Sequence, residues 1–246
     1  MDQQHPSPSR WAIVLAGGEG TRMQPLVHRW LGFNRPKQYC AFVGSRSMFQ
    51  HTVDRAALVT APERIVAVVG RDHRDEILTQ LQGRTIGQVI YQPRNCETAA
   101  GLFLPLTYIH ARAPGATVLI FPSDHFIHPE DRFLAAVCRI ADLAETMPDR
   151  LVLLGIRPDR LEMEYGWILP GAALSSQEDA PLCEVHSFME KPNRIQAVKA
   201  FRHGALWNTF VFAAQAELLW QVGTRCFPDV MRRFERLRSV IGRSQE

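Results

Sequence analysis

Gly17, Gly18 and Gly20 stand beside Thr21 and Arg22, and Lys37 follows fifteen residues later within Pro36-Lys37-Gln38. These residue types at this spacing suit the grip of a phosphate chain. Glycines let the main chain come close to a ligand, and backbone N–H groups in such a loop converge on phosphate oxygens. Thr21 adds a hydroxyl donor. Arg22 can hold a phosphate in bidentate fashion, which a lysine does less well. Lys37 adds a second cation. The set fits an enzyme that handles a nucleoside triphosphate; for the glycines alone, a plain turn is the competing reading.

A loop of this kind needs a strand to present it. Ile13, Val14 and Leu15 are apolar, partly β-branched and uncharged, as a buried parallel strand requires, and they lead through Ala16 into the glycines. Two commoner phosphate motifs are absent. The dinucleotide fingerprint lacks its third glycine, because Met23 stands there, and no Gly-Lys-Ser/Thr tripeptide occurs. Further along, strand-like and helix-like stretches alternate. Strands are expected at Ile65–Val69, Gln88–Tyr91, Val118–Phe121 and Leu151–Leu154. Helices are expected at Asp72–Leu81, about Glu97–Ala111, and Arg132–Glu145. The rhythm predicts an α/β fold with a mostly parallel sheet flanked by helices. After Gly155 the pattern changes to short strand-like runs at Tyr165–Leu169 and Val185–Met189 around an acidic loop at Ser175–Asp179. That stretch predicts a small β-rich insertion covering the ligand edge of the sheet. A last helix is expected over Pro228–Ile241, its arginines forming a solvated face.

Asp124 directly follows the strand at Val118–Phe121. A carboxylate at the carboxyl end of a parallel strand can hold Mg²⁺ or cap the next segment, and position alone leaves both open. His125 and His128 lie close by without a third ligand, which favours a supporting role over a transition-metal site. Glu190-Lys191 reads as a solvated pair, Gly166 as a bend in a strand, and Asn208 as a turn residue. Thr98 or Glu97 can cap a helix.

In order along the chain, these pieces resemble a known family. Leu15-Ala-Gly-Gly-Glu-Gly-Thr-Arg22-Met-Gln-Pro-Leu26 with Pro36-Lys37-Gln38-Tyr39 is similar to the signature of sugar-phosphate nucleotidyltransferases. The Pro-Lys-Gln-aromatic form most resembles the mannose-1-phosphate guanylyltransferase branch. Pro93-Arg-Asn95-Cys-Glu-Thr98, Phe121-Pro-Ser-Asp124-His125, Glu164-Tyr-Gly166-Trp-Ile168 and Phe188-Met-Glu190-Lys191-Pro192 follow in the family's order. Trp207-Asn208-Thr-Phe210 is an imperfect fifth match. The resemblance covers about residues 11 to 213. It implies a Rossmann-like fold and transfer of a nucleotidyl group from an NTP, best GTP, to a sugar 1-phosphate, best mannose 1-phosphate. It also implies Leu15 to Gly18, Gly20 and Thr21 on the nucleotide, Arg22 and Lys37 in catalysis, and Pro93, Asn95 and Thr98 on the purine. Asp124 would take Mg²⁺, and Gly166, Glu190, Lys191 and Asn208 the sugar phosphate. A homodimer is implied by the resemblance alone.

The chain departs from the family where Phe210 replaces a small glycine, which predicts a narrower sugar pocket, and where Ser123 replaces alanine. It also ends at Glu246, where relatives continue and often supply a second metal-binding Asp. Asp229 is the only Asp after Asp179 and reads as a helix start. A nucleotide-binding module with little or no catalysis is the alternative class. A cofactor-modifying nucleotidyltransferase fits less well, because Tyr165-Gly166 and Glu190-Lys191-Pro192 belong to sugar-phosphate binding.

Composition bounds the rest. The 246 residues are 46% hydrophobic, enough for a buried core, and are expected to form one domain from residue 11 after a loose tail over residues 1 to 10. A formal charge of +3 is too mild to imply nucleic acid or a membrane surface. There is no long apolar run and no leader-like N-terminus. Five scattered cysteines without a Cys-x-x-Cys argue against a disulfide framework or zinc ribbon and for a cytoplasmic protein.

Overall fold

The computed structural model describes residues 10–94, 97–175 and 181–242. Most of the tail expected over residues 1 to 10 therefore lies outside the described residues. Arg10 is a correction to it: this residue opens strand β1 (Arg10–Ala16) and is buried. Its Nε donates to Glu145 Oε1 at 2.7 Å, and Asp142 is a second partner. Two carboxylates compensate a guanidinium that could not be buried alone.

Two compact units divide the chain, Met1–Val152 with Phe212–Glu246, and Leu153–Val211. In the first, β1 pairs in parallel with β2 (Ile65–Gly70) on one side and β4 (Thr117–Pro122) on the other; β3 (Gln88–Gln92) pairs in parallel with β2. Ile13 and Val14, Ile65 and Val66, and Leu119 and Ile120 are each 0% exposed. Neighbours along a strand point to opposite faces, so consecutive buried residues require cover on both faces. Helices α2 (Met48–Ala57), α3 (Arg74–Gln80), α4 (Glu97–Arg112) and α5 (Glu130–Thr146) supply it. After β1 the chain runs through α1 (Gln24–Leu31) and α2 to β2. After β3 and α4 it comes back to lay β4 on the opposite side of β1. The carboxyl ends of β1 and β4 thus flank a topological switch point, where open α/β sheets take their ligands.

Strand β5 (Val152–Ile156) follows α5, and strand β8 (Leu206–Gln215) has its last four residues in the first unit, antiparallel to β4. Helices α7 (Ala216–Cys226) and α8 (Pro228–Arg238) follow, the latter ending short of the expected Ile241. His110 of α4 ties them together. Its Nε2 donates to Glu217 at 2.8 Å, its Nδ1 accepts from Arg238 at 3.0 Å, and its ring stacks on Trp220 at 4.6 Å. The two partners together select the Nε2–H tautomer. Loss of both bonds and the stack in His110→Ala should cost about 2 kcal/mol, read as a lower midpoint in urea unfolding.

The second unit is the β-rich insertion. β6 (Gly166–Ser175) and β7 (Leu182–Glu190) form an irregular antiparallel pair, and Trp167 lies opposite Trp207 of β8. The acidic loop expected between them lies, beyond Ser175, outside the described residues. Trp167, Ala197, Ala200, Ala205 and Trp207 make a small core. Its helix α6 (Arg194–Arg202) starts at Asn193 with a reciprocal capping box to Gln196.

Candidate active site

The glycine loop leaves β1 at its carboxyl end. Gly20 has φ +64°, and a Cβ there would stand 3.1 Å from Lys37 N and 3.2 Å from Lys37 Cγ. Conformation and close approach both demand glycine at this position. Thr21 and Arg22 lie exposed in a single 3₁₀ turn, Thr21–Met23. Lys37 opens a second such turn, and the residue after it holds the loop in shape. Buried Gln38 donates through Nε2 to Ala16 O at 3.1 Å and Gly18 O at 2.7 Å. Both N–H groups of one amide thus bridge the entry and interior of the loop.

Asp124 faces this loop from β4. The backbone N–H and hydroxyl of Ser123 both donate to Leu15 O, at 3.1 and 2.7 Å, and lock the ends of β1 and β4 together. Lys37 Nζ lies 2.5 Å from Asp124 Oδ2. Burial pushes the Asp124 carboxyl up, but the hydrogen bond and charge of Lys37, helped by His125, outweigh it and hold the group below the ordinary carboxylate value. Asp124 is therefore ionised at neutral pH. His125 stands 3.9 Å from it, and burial lowers the imidazole despite the nearby carboxylate. Among the described residues no group of three or more His, Cys, Asp or Glu side chains gathers as a metal cage. An ionised, part-exposed single carboxylate still fits Mg²⁺, which draws most ligands from phosphates and water. Beside the pair lies a cavity of about 540 Å³, lined by Lys37, Phe42, Arg55, Asp124, His125 and Phe126 among others. That size falls within the range of small-molecule clefts.

Pro93 directly follows the carboxyl end of β3 and Thr98 lies in the first turn of α4, both exposed, and Asn95 lies outside the described residues. Gln92, which the motifs did not single out, sits between Gly17 of the glycine loop and Gly101 of α4. A Cβ on Gly17 would meet its Oε1 at 3.0 Å, and one on Gly101 its Nε2 at 2.9 Å. The signal in the sequence was a polar residue closing an apolar strand just before Pro93.

In the second unit the structure brings together three of the four residues expected there. Gly166 is the cross-strand partner of Glu190. A Cβ on Gly166 would stand 3.0 Å from Glu190 Oε2 and 3.3 Å from Asn208 Cβ. Lys191 adjoins them with a left-handed backbone (φ +44°), its N–H bonded to Tyr165 O at 3.2 Å. Asn208 lies within β8 rather than in a turn.

A family model described as nucleotidyl transferase matches residues 11–232. The chain belongs to that family. Within the nucleotidyl transferases it is 30% identical over 236 residues to the mannose-1-phosphate guanylyltransferase of Escherichia coli K12, covering 94% of this chain and 48% of that one. It is 34% identical to the xanthan biosynthesis protein XanB of Xanthomonas campestris pv. campestris B100, covering 83% and 42%. The chain spans about half the length of the curated relatives it matches. A crystal structure described as mannose-1-phosphate geranyltransferase from Thermus thermophilus superposes with TM-score 0.79 at 28% identity, covering 94% of this chain and 64% of that one. Nucleotidyltransferases of this family generally use a divalent metal. No helix among the described residues is long and apolar enough to cross a membrane.

Proposed function

We propose that this chain transfers a nucleotidyl group from an NTP, GTP by preference, to a sugar 1-phosphate, mannose 1-phosphate by preference, releasing pyrophosphate. The observation that carries the reading is the meeting of the glycine loop, Lys37 and ionised Asp124 at the switch point of the sheet. The attacking phosphate oxygen is already an anion, so no general base is needed and catalysis reduces to positioning and charge neutralisation. Backbone N–H groups from Leu15 to Thr21 cradle the triphosphate. Arg22 neutralises the charge that builds on the pyrophosphate as the Pα–O bond breaks, and Lys37 neutralises the α-phosphate as the new P–O bond forms. Pro93, Thr98 and Gln92 take the purine. Lys191 holds the acceptor phosphate, while Glu190 and Asn208 take sugar hydroxyls beside Gly166. Held by Asp124, Mg²⁺ would supply Lewis-acid neutralisation of phosphate oxygens. Free Cys40, Cys138, Cys183 and Cys226 suit a reducing cytoplasm.

The test is pyrophosphate release with Mg²⁺ from each of four NTPs against a panel of sugar 1-phosphates. Release with one pair names the substrates. Silence from folded protein that still binds nucleotide overturns the reading in favour of a binding module. Gly166→Ala gives a second check. The added methyl meets the far ends of Phe188 and Glu190, which can move aside, and Asn208 Cβ, which needs to give by only a few tenths of an ångström, so the fold should hold. Displacement of Glu190 should raise the acceptor KM about tenfold with the NTP KM unchanged.

A further inference from the structure

Phe210 occupies the place where the resembling family carries glycine, and its backbone is left-handed, φ +57°. For a bulky side chain this is a true outlier. Among the described residues only Glu97, Lys191 and Phe210 adopt such a backbone without being glycine. Two of the three are in the second unit, beside Glu190 and Asn208. Strain of this kind persists only where the surroundings over-determine it, and it gathers at functional sites.

The surroundings are specific. Asn208 Oδ1 accepts the Phe210 N–H at 3.0 Å. Thr209 Oγ1 accepts the Val211 N–H at 3.1 Å while donating to Leu154 O at 2.5 Å. Two successive side chains thus bind the backbone two residues on, an arrangement that Asn and Thr favour in turns and that here falls inside β8. Position 210 therefore calls for a backbone conformation that glycine gives freely, which accounts for the family's glycine better than any need for space.

We propose that Phe210 is a positioning residue for the acceptor sugar, resting on the reading of Gly166, Glu190 and Asn208 as its subsite. The turn that its left-handed backbone completes keeps its N–H on Asn208 Oδ1, and that bond fixes the polarity of the carboxamide. An asparagine has one acceptor oxygen and one donor nitrogen. With Oδ1 committed to the main chain, Nδ2 remains as the group that meets a hydroxyl oxygen, and the amide cannot flip without breaking the bond. Glu190, acceptor-only when ionised, then complements it. The site addresses a vicinal pair of sugar hydroxyls, one as acceptor and one as donor. Phe210 contributes its main-chain amide to this.

The test compares Phe210→Gly, Phe210→Val and Asn208→Ala by KM for GTP and mannose 1-phosphate, and by calorimetric binding of mannose 1-phosphate. Glycine keeps the conformation, so its acceptor KM should stay within about threefold of wild type. A β-branched valine resists that conformation, so its acceptor KM should rise about tenfold with the GTP KM unchanged. Equal rises in both Phe210 variants would assign the effect to the lost ring and overturn the proposal, as would an unchanged KM in Phe210→Val. If Phe210→Val does not fold, Asn208→Asp decides. Its carboxylate still accepts the Phe210 N–H but lacks the donor, so acceptor binding should weaken about tenfold at an unchanged melting midpoint; unchanged binding overturns the proposal. An Asn208→Ala enzyme with a normal acceptor KM would instead strike the reading of the subsite itself.

Discussion

Lys37→Ala should cut pyrophosphate release by about 10³-fold while leaving the melting midpoint within a few degrees of wild type. The two expectations come from the same geometry. Lys37 is wedged against Gly20 and lies 2.5 Å from Asp124, where the loop and the β4 carboxylate meet. Any phosphate chain cradled by the loop comes within its reach. Yet the side chains of Lys37 and Asp124 remain 36% and 30% exposed, and ion pairs that open to water contribute only about 0–1 kcal/mol to folding. Turnover and melting of the same preparation separate the two. A loss matched by a lower midpoint would make Lys37 structural. A positive result also constrains Gly20: any side chain there collides with Lys37 and inherits much of the same defect.

Asp124→Asn should lose metal-dependent turnover by a factor of about 10²–10³ or more, with Mn²⁺ binding lost in parallel when read by water-proton relaxation. Asparagine keeps the shape and removes the charge that attracts a hard cation. The wild-type carboxyl is held below its ordinary value by Lys37 despite burial, so ionisation does not limit it at neutral pH and the amide is a clean comparison. Unchanged turnover across a magnesium titration would remove Asp124 from the metal role. Because the roles proposed for Lys37 and Asp124 converge on the same phosphates, the double variant should be little worse than the poorer single one.

The elements that depend on neighbours in the chain were readable from it. The glycines after an apolar run signal a loop leaving a strand, as Gly20 after β1 bears out, and Ile65–Val69 and Val118–Phe121 signal buried strands by their unbroken apolar runs. The second unit was announced by the change of rhythm after Gly155. What stayed hidden depends on partners far away in sequence. Gln38 is an ordinary amide until the fold sets it under Ala16 and Gly18. Gln92 gains its place only because Gly17 and Gly101 converge on it. Asn208 resembled a turn residue, because its place in β8 is set by tertiary contacts that override local preference. Phe210 resembled a change of size, because backbone conformation leaves no mark in a side-chain alphabet.

The sheet of the first unit is closed by a strand that arrives late. Thr117 of β4 pairs with Gln215 of β8, 98 residues further along. On a ribosome adding about 5–20 residues per second, that interval lasts roughly 5–20 s. Throughout it the β4 edge, carrying the wholly apolar run Val118-Leu-Ile-Phe121, is synthesised but unpaired on one side, while the entire second unit is being made. An open apolar edge is an aggregation template. The nascent chain therefore passes through a stage in which strands β1 to β4 are all synthesised while one apolar edge is still open.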